Sequence, residues 1–258
     1  MSADHTVTDT VWPDSVLVQR QGLRADVVLN RPERRNALVA PMMARLRNVL
    51  QELSVDDTVN VILLRGAGGA LCSGLDLKTI NAEPRPEWVP HMQRIWRETN
   101  IALARCPKPV VCALEKYAIN GGGPLVFGSD VVVAGETAYV QVMEVKIGMA
   151  ASINQAWLLA RHGEAVAQRF ALLGDPVSGA ELLRLGVATQ VVPNHQVVAR
   201  ATELADQLAA YPSASTQNTK RSIRAQVRGL DNPEAWFAQA QAEAAQDPSF
   251  HAAHASQT

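Results

Sequence analysis

Three features of the sequence predict an α/β layer fold closed by a helical appendage: short β-branched runs alternate with helix-period segments, strand signals stop near residue 195, and the segments beyond it carry helix patterns alone. With 258 residues, 47% of them apolar, the chain can build one large domain, or a domain and an appendage, around a sizeable core.

Each element follows from its local pattern. "SVLVQRQ" and "RADVVLN" pair as a hairpin with Gly22 near the turn, and "VNVILLRG", "KPVVCAL" and "DVVVAG" read as buried strands, each short, rich in Val, Ile or Leu, and closed by polar residues or Gly. Between them, "APMMARLRNVLQEL" places Met42, Leu46, Val49, Leu50 and Leu53 on one helix face. "PEWVPHMQRIWRETNIALARC" places Met92, Ile95, Trp96, Ile101 and Leu103 with looser periodicity. From residue 195, "VVARATELADQLAAY", "TQNTKRSIRAQV" and "PEAWFAQAQAEAAQ" are successive helices separated by Pro212 and the "GLDNP" turn. The expected division is therefore a core over residues 1–194 and a helical segment over 195–258.

Composition excludes several partner classes. Basic and acidic side chains number 24 and 25 with no long run of one sign, so no nucleic-acid or membrane surface is expected, and an anionic ligand has to be met locally. Cys72, Cys106 and Cys112 are few, odd in number and without metal-ligand spacing, which points to a reducing compartment and no disulfide framework. "MSADHTVTDTVWPDS" has no apolar signal core, and no segment approaches the roughly 18 to 20 apolar residues that span a bilayer. The expected location is the cytoplasm. His251 and His254 stand three apart without a third ligand, so no metal site is expected.

Two glycine-rich loops follow central strands. The first, "RGAGGALCSGLDLK", lacks the Gly-Lys-Ser/Thr end of a phosphate loop, carries Leu71 where a dinucleotide fingerprint needs its third Gly, and lacks the Gly-x-Ser-x-Gly spacing of a nucleophile elbow around Ser73. The second, "AINGGGPLVFGSD", has three consecutive glycines and then Pro124. The carboxyl ends of strands in an α/β sheet are the usual place for ligands, and both loops offer backbone amides unobstructed by side chains.

"RPERRNAL" at 31–38, "GALCSGLDLK" at 69–78, "KPVVCALEKYAINGGG" at 108–123, "SDVVVAGETAYV" at 129–140 and "GEAVAQRFALLGDPVSGAELLRLGVATQVVP" at 163–193 together resemble the crotonase superfamily, the enoyl-CoA hydratase/isomerase group. The resemblance covers nearly the whole chain. It implies a spiral of repeated β-β-α units with a C-terminal helical trimerisation segment, assembly as a homotrimer or a dimer of trimers, and no permanently bound cofactor. Coenzyme A would enter as part of an acyl-CoA thioester. It implies further that the backbone N–H groups of Leu75 and Gly121 stabilise a thioester enolate, helped by the positive end of the helix that starts after the glycines.

Where hydratases of this group carry the first of two catalytic glutamates, this chain has Pro124; the second is matched by Glu144 in "VQVMEVKIG". One carboxylate can remove and return a proton, whereas adding water is best served by two groups with divided labour. The pattern therefore resembles the isomerases of the group. A hydratase or lyase with a substitute acid/base, such as Glu115 or His91, and a catalytically silent acyl-CoA-binding protein are the alternatives. For coenzyme A the resemblance implies Arg35 beside the pyrophosphate, the backbone of Cys72, Ser73 and Gly74 at the adenine, and Lys220 reaching in from a C-terminal helix. Asp76 is expected to hold loop amides, and Trp88, Trp96 and Trp157 to line the core or a pocket.

Overall fold

A computed structural model describes residues 12–245. In chain order the elements are β1 (Val16–Gln21), β2 (Arg24–Leu29), α1 (Ala40–Ser54), β3 (Val61–Gly66), α2 (Leu77–Ile80), α3 (Met92–Arg105), β4 (Val110–Leu114), β5 (Tyr117–Ile119), α4 (Gly123–Phe127), β6 (Val131–Gly135), β7 (Tyr139–Gln141), α5 (Ser152–His162), α6 (Glu164–Ala171), β8 (Val177–Ser178), α7 (Gly179–Arg184), β9 (Gln190–Val192), α8 (Val197–Ala209), α9 (Ser213–Ala225) and α10 (Pro233–Ala245).

The six-stranded sheet runs β1-β2-β3-β4-β6-β9, antiparallel only at the β1–β2 hairpin and parallel thereafter. That hairpin turns through Gly22, whose φ of 57° suits glycine. The smaller sheet, β5-β7-β8, was not legible because its strands are two or three residues long, too short to show a period. Single parallel bridges, Leu38 to Leu75 and Cys72 to Ala118, extend its pairing toward the N-terminus. Successive chain turns thus place one strand in the large sheet and the next segment in the small one, followed by a helix. This is the β-β-α spiral.

Alternation along the buried strands divides the core. Ile62, Leu64, Val110, Cys112, Leu114, Val132 and Ala134 face the larger cluster, with α1, α3, α4 and α5. Val61, Leu63, Val111, Ala113 and Val133 face the other way, where Val197, Ala201, Ala205 and Ala209 of α8 cover them. The i, i+4 spacing of those four residues makes a smooth stripe on which a helix lies close to a sheet.

The C-terminal helices therefore pack on their own chain. Besides α8, Phe237 of α10 stacks against Trp157 of α5 with ring centroids 5.2 Å apart. Helix α9 has little apolar surface and is held by buried charge: Lys220 Nζ donates to Asp130 at 2.5 Å and to the Lys108 carbonyl at 2.7 Å, and Arg224 donates to Asp130 at 3.0 Å. Burial works against the Asp130 carboxylate, but Lys220 and Arg224 outweigh it and keep the group below its usual range. No break in packing falls at residue 194/195. Among the described residues no helix is long and apolar enough to cross a membrane.

Candidate active site

Strand β5 ends in a 3₁₀ turn, Asn120–Gly122, that runs into α4 with Pro124 in the first helical turn. None of the three glycines has a positive φ; close approach is what requires Gly122 and Gly123. A Cβ on Gly122 would meet the Cys72 carbonyl at 2.9 Å, and one on Gly123 would fall inside contact distance of Asn154 Oδ1 and 3.0 Å from the Phe127 ring. On Gly121 it would lie 3.2 Å from the Leu38 side chain and 3.8 Å from that of Leu75, so the glycine turn packs against the Leu75 side chain. Helix α4 is only five residues long, so the dipole expected from the sequence is small and the turn's N–H groups carry the polarity.

Leu75 sits where the first glycine-rich loop passes Leu38. Leu38 N–H donates to the Gly74 carbonyl at 2.7 Å, and Asp76 N–H donates to the Leu38 carbonyl at 3.0 Å. In a parallel ladder this bonding turns the N–H of the intervening Leu75 away from Leu38. Asp76 accepts from Arg31 at 2.8 Å and from the Thr79 amide at 3.1 Å, capping α2. Burial opposes its charge, yet Arg31 and Thr79 hold the carboxyl below its usual range.

Glu144 opens a 3₁₀ turn, Glu144–Ile147, after β7. Its Oε1 accepts from Asn154 Nδ2 at 2.9 Å, while Oε2 is buried without a hydrogen-bond partner. Burial lifts the carboxyl to about 7, partly offset by its own backbone N–H and by Asn154. A carboxylate poised near neutrality with one unpaired oxygen has the properties of a general base.

Asn154 was missed in the sequence. It is buried on α5, and the readable signal was an amide sharing a helix face with the fully buried Trp157 and Leu158, at i+3 and i+4. Its Nδ2 also donates to the Asn120 carbonyl at 3.1 Å, and Asn120 Oδ1 accepts from the Met143 amide at 2.9 Å. Asn120, held at φ 46°, thus joins the glycine loop to the segment that carries Glu144.

A cleft of about 520 Å³ opens beside Leu75, with Arg34, Arg35, Ser73, Lys78 and Tyr117 on its walls. Of the residues expected at coenzyme A, Arg35 and Ser73 line this cleft, and Cys72, Gly74 and Lys220 do not. Cys72 is fully buried, its thiol pushed up to about 12 by burial, and both its backbone groups are spent on Tyr117 and Ile119. The Gly74 amide approaches Cys72 Sγ at 3.4 Å and its carbonyl accepts from Leu38, so neither Cys72 nor Gly74 lines the cleft. Lys220 donates to Asp130 at 2.5 Å within the chain's own core and does not line the cleft.

Glu115 faces Arg65 and Lys116, whose charges only partly offset the burial that raises its carboxyl. His91 is exposed in a 3₁₀ turn before α3. Trp96 and Trp157 are in the core, with Trp88 partly buried against it. Among the described residues no three His, Cys, Asp or Glu side chains group to hold a metal, and His251 and His254 lie outside those residues.

Comparison with known proteins agrees in sequence and in fold. The family model "Enoyl-CoA hydratase/isomerase" matches residues 20–252. The chain is 34% identical over 210 residues to 1,2-epoxyphenylacetyl-CoA isomerase of Escherichia coli K12, covering 80% of each chain. It is 33% identical over 215 residues to enoyl-CoA hydratase EchA19 of Mycobacterium tuberculosis, covering 82% of this chain and 80% of that one. Among solved structures, a carnitinyl-CoA dehydratase from Mycobacterium avium superposes with a TM-score of 0.79 at 29% identity, over 92% of this chain and 94% of that one. A monofunctional enoyl CoA isomerase from M. smegmatis superposes at 0.69 and 28%, over 87% and 98%. A spiral of alternating sheet strands, a glycine loop joined through Asn154 to a half-buried glutamate, and these matches lead to one assignment: the chain belongs to the enoyl-CoA hydratase/isomerase family of the crotonase superfamily.

Proposed function

We propose that this protein is an acyl-CoA enzyme that moves a double bond by proton transfer through a single base, Glu144. The observation that carries the reading is the Glu144 carboxyl itself: buried, lifted to about 7, with one oxygen unpaired and Pro124 in the place of a second acid. In a 3-enoyl-CoA, Glu144 takes a proton from the α-carbon, and the C–H electron pair flows into the thioester carbonyl. The resulting dienolate oxygen is held by the Leu75 and Gly121 N–H groups. Return of the proton to the γ-carbon re-forms the carbonyl and leaves the double bond between the α- and β-carbons. Two donors aimed at developing charge in a water-poor site supply most of the rate in this type of chemistry.

Coenzyme A enters as part of the substrate, with no permanently bound cofactor. Arg35, Lys78 and Ser73 line the cleft in which its phosphates and adenine would rest. Assembly as a homotrimer or dimer of trimers, with residues 195–258 at the subunit contacts, and residence in the cytoplasm complete the reading.

The test is exchange of the α-protons of butyryl-CoA in D2O, followed by mass spectrometry. Wild type should exchange; Glu144→Gln should reduce the rate by about 10² to 10⁴ and Gly121→Pro by about 10² to 10³, each variant still giving a cooperative circular dichroism melt. Tight binding of butyryl-CoA by wild type without exchange would replace this reading with that of a silent binder.

A further inference from the structure

Asn154 makes two hydrogen bonds that meet at the two halves of the site. Its Nδ2 reaches Glu144 Oε1 at 2.9 Å and the Asn120 carbonyl at 3.1 Å. That carbonyl belongs to the same peptide unit as the Gly121 N–H, the expected oxyanion donor, and it also accepts the Gly123 N–H. A hydrogen bond accepted at one end of an amide polarises the group and strengthens the N–H at the other end. We infer that Asn154 is a positioning residue that fixes the ionised base and the oxyanion-donor peptide relative to each other through one side-chain amide. This rests on the reading of Glu144 as the base.

The direction of the amide matters. With Nδ2 shared between Glu144 and Asn120, a flipped amide would set Oδ1 against the Asn120 carbonyl oxygen, so the donor is locked toward Glu144. Asn154 then favours the carboxylate over the carboxylic acid, opposing the burial that favours the acid. Gly123 is the complement of this arrangement, because any side chain there would displace Asn154.

Among the described residues no charged group shifts Glu144; burial, its own backbone N–H and Asn154 account for the shift. Lys146, on the same turn, is turned to Asp175 at 2.6 Å. Helix α5 presents Asn154, with Arg161 at its far end bonded to the Phe127 and Ser129 carbonyls and His162 against the Phe127 ring. The 120–123 turn carries no titratable side chain.

The experiment is the pH profile of kcat and kcat/KM for isomerisation of 3-hexenoyl-CoA by wild type, Asn154→Leu, Asn154→Ala, Asn154→Asp and Glu144→Gln. Leu keeps the shape and loses the donor, and Ala guards against a packing failure of Leu. Both should lower kcat about tenfold or more with little change in KM, and move the acidic limb upward by about half a pH unit or more, because the ionised base has lost its donor. Asn154→Asp, with a second carboxylate beside the first, should move that limb further. An unshifted limb in all three Asn154 variants, with Glu144→Gln inactive, would overturn the positioning role alone. Full activity in Glu144→Gln would overturn the base reading and this inference with it.

Discussion

Glu144 couples chemistry to stability, and the sign of that coupling can be worked out. Its carboxyl is lifted from 4.5 to about 7 in the folded chain, so between those values the folded state holds a proton that the unfolded state has released. Stability from this group is full below about pH 4.5 and is lost as pH rises through 7. Glu144→Gln should therefore stabilise the protein by about 1–3 kcal/mol at pH 8 and much less at pH 5, as measured by urea unfolding at the two values. Activity runs the other way: the base must be ionised, so kcat/KM should climb through pH 7. Gly123→Ala is the matching steric test. Its Cβ meets Asn154 and Phe127, whereas the Cβ of Gly121→Ala would meet only the Leu38 and Leu75 side chains, so Gly123→Ala should cost more stability in the same unfolding measurement. Glu144, Leu75 and Gly121 could be singled out as candidates through motif order. Asn154 was not, because a buried amide on an apolar helix face has no spacing rule that names its partners.

At the scale of elements, strands with long β-branched runs were legible, and β5, β7, β8 and β9 were not, since two or three residues cannot show a period. The helices after residue 195 were legible as helices, but their destination was not. Alanine at 201, 205 and 209 reads as high helix propensity and gives no hint that this stripe seals a sheet. Ala205→Leu should overpack α8 against β3 and β4 and destabilise the fold by about 1–3 kcal/mol in urea unfolding. Lys220 shows a similar limit: a cation in a polar helix gave no sign of Asp130, 90 residues away. Lys220→Met takes from Asp130 one of its cationic partners, leaving Arg224, Arg161 and the Val110 amide, and should cost about 3–5 kcal/mol while leaving the KM for an acyl-CoA unchanged. A raised KM with unchanged stability would return Lys220 to the ligand.

At the scale of the whole molecule, the C-terminal helices are part of the core. Removing residues 195–258 would strip α8 from Val61, Leu63, Val111, Ala113 and Val133, so the truncated chain should fail to fold, read as loss of cooperative thermal unfolding. The sequence suggested a core over residues 1–194 and a helical segment over 195–258; in the structure the first helix of that segment, α8, packs on the large sheet of the core. What the molecule does as an enzyme comes down to whether one base suffices. The measurement is the ratio of 2-enoyl-CoA to 3-hydroxyacyl-CoA formed from 3-hexenoyl-CoA by wild type and by Glu144→Gln. The single-base account predicts that wild type accumulates the 2-enoyl product well ahead of any hydroxyacyl product, and that Glu144→Gln forms neither. Rapid appearance of 3-hydroxyacyl-CoA that persists in Glu144→Gln would contradict it and send the search for an acid/base to Glu115 or His91.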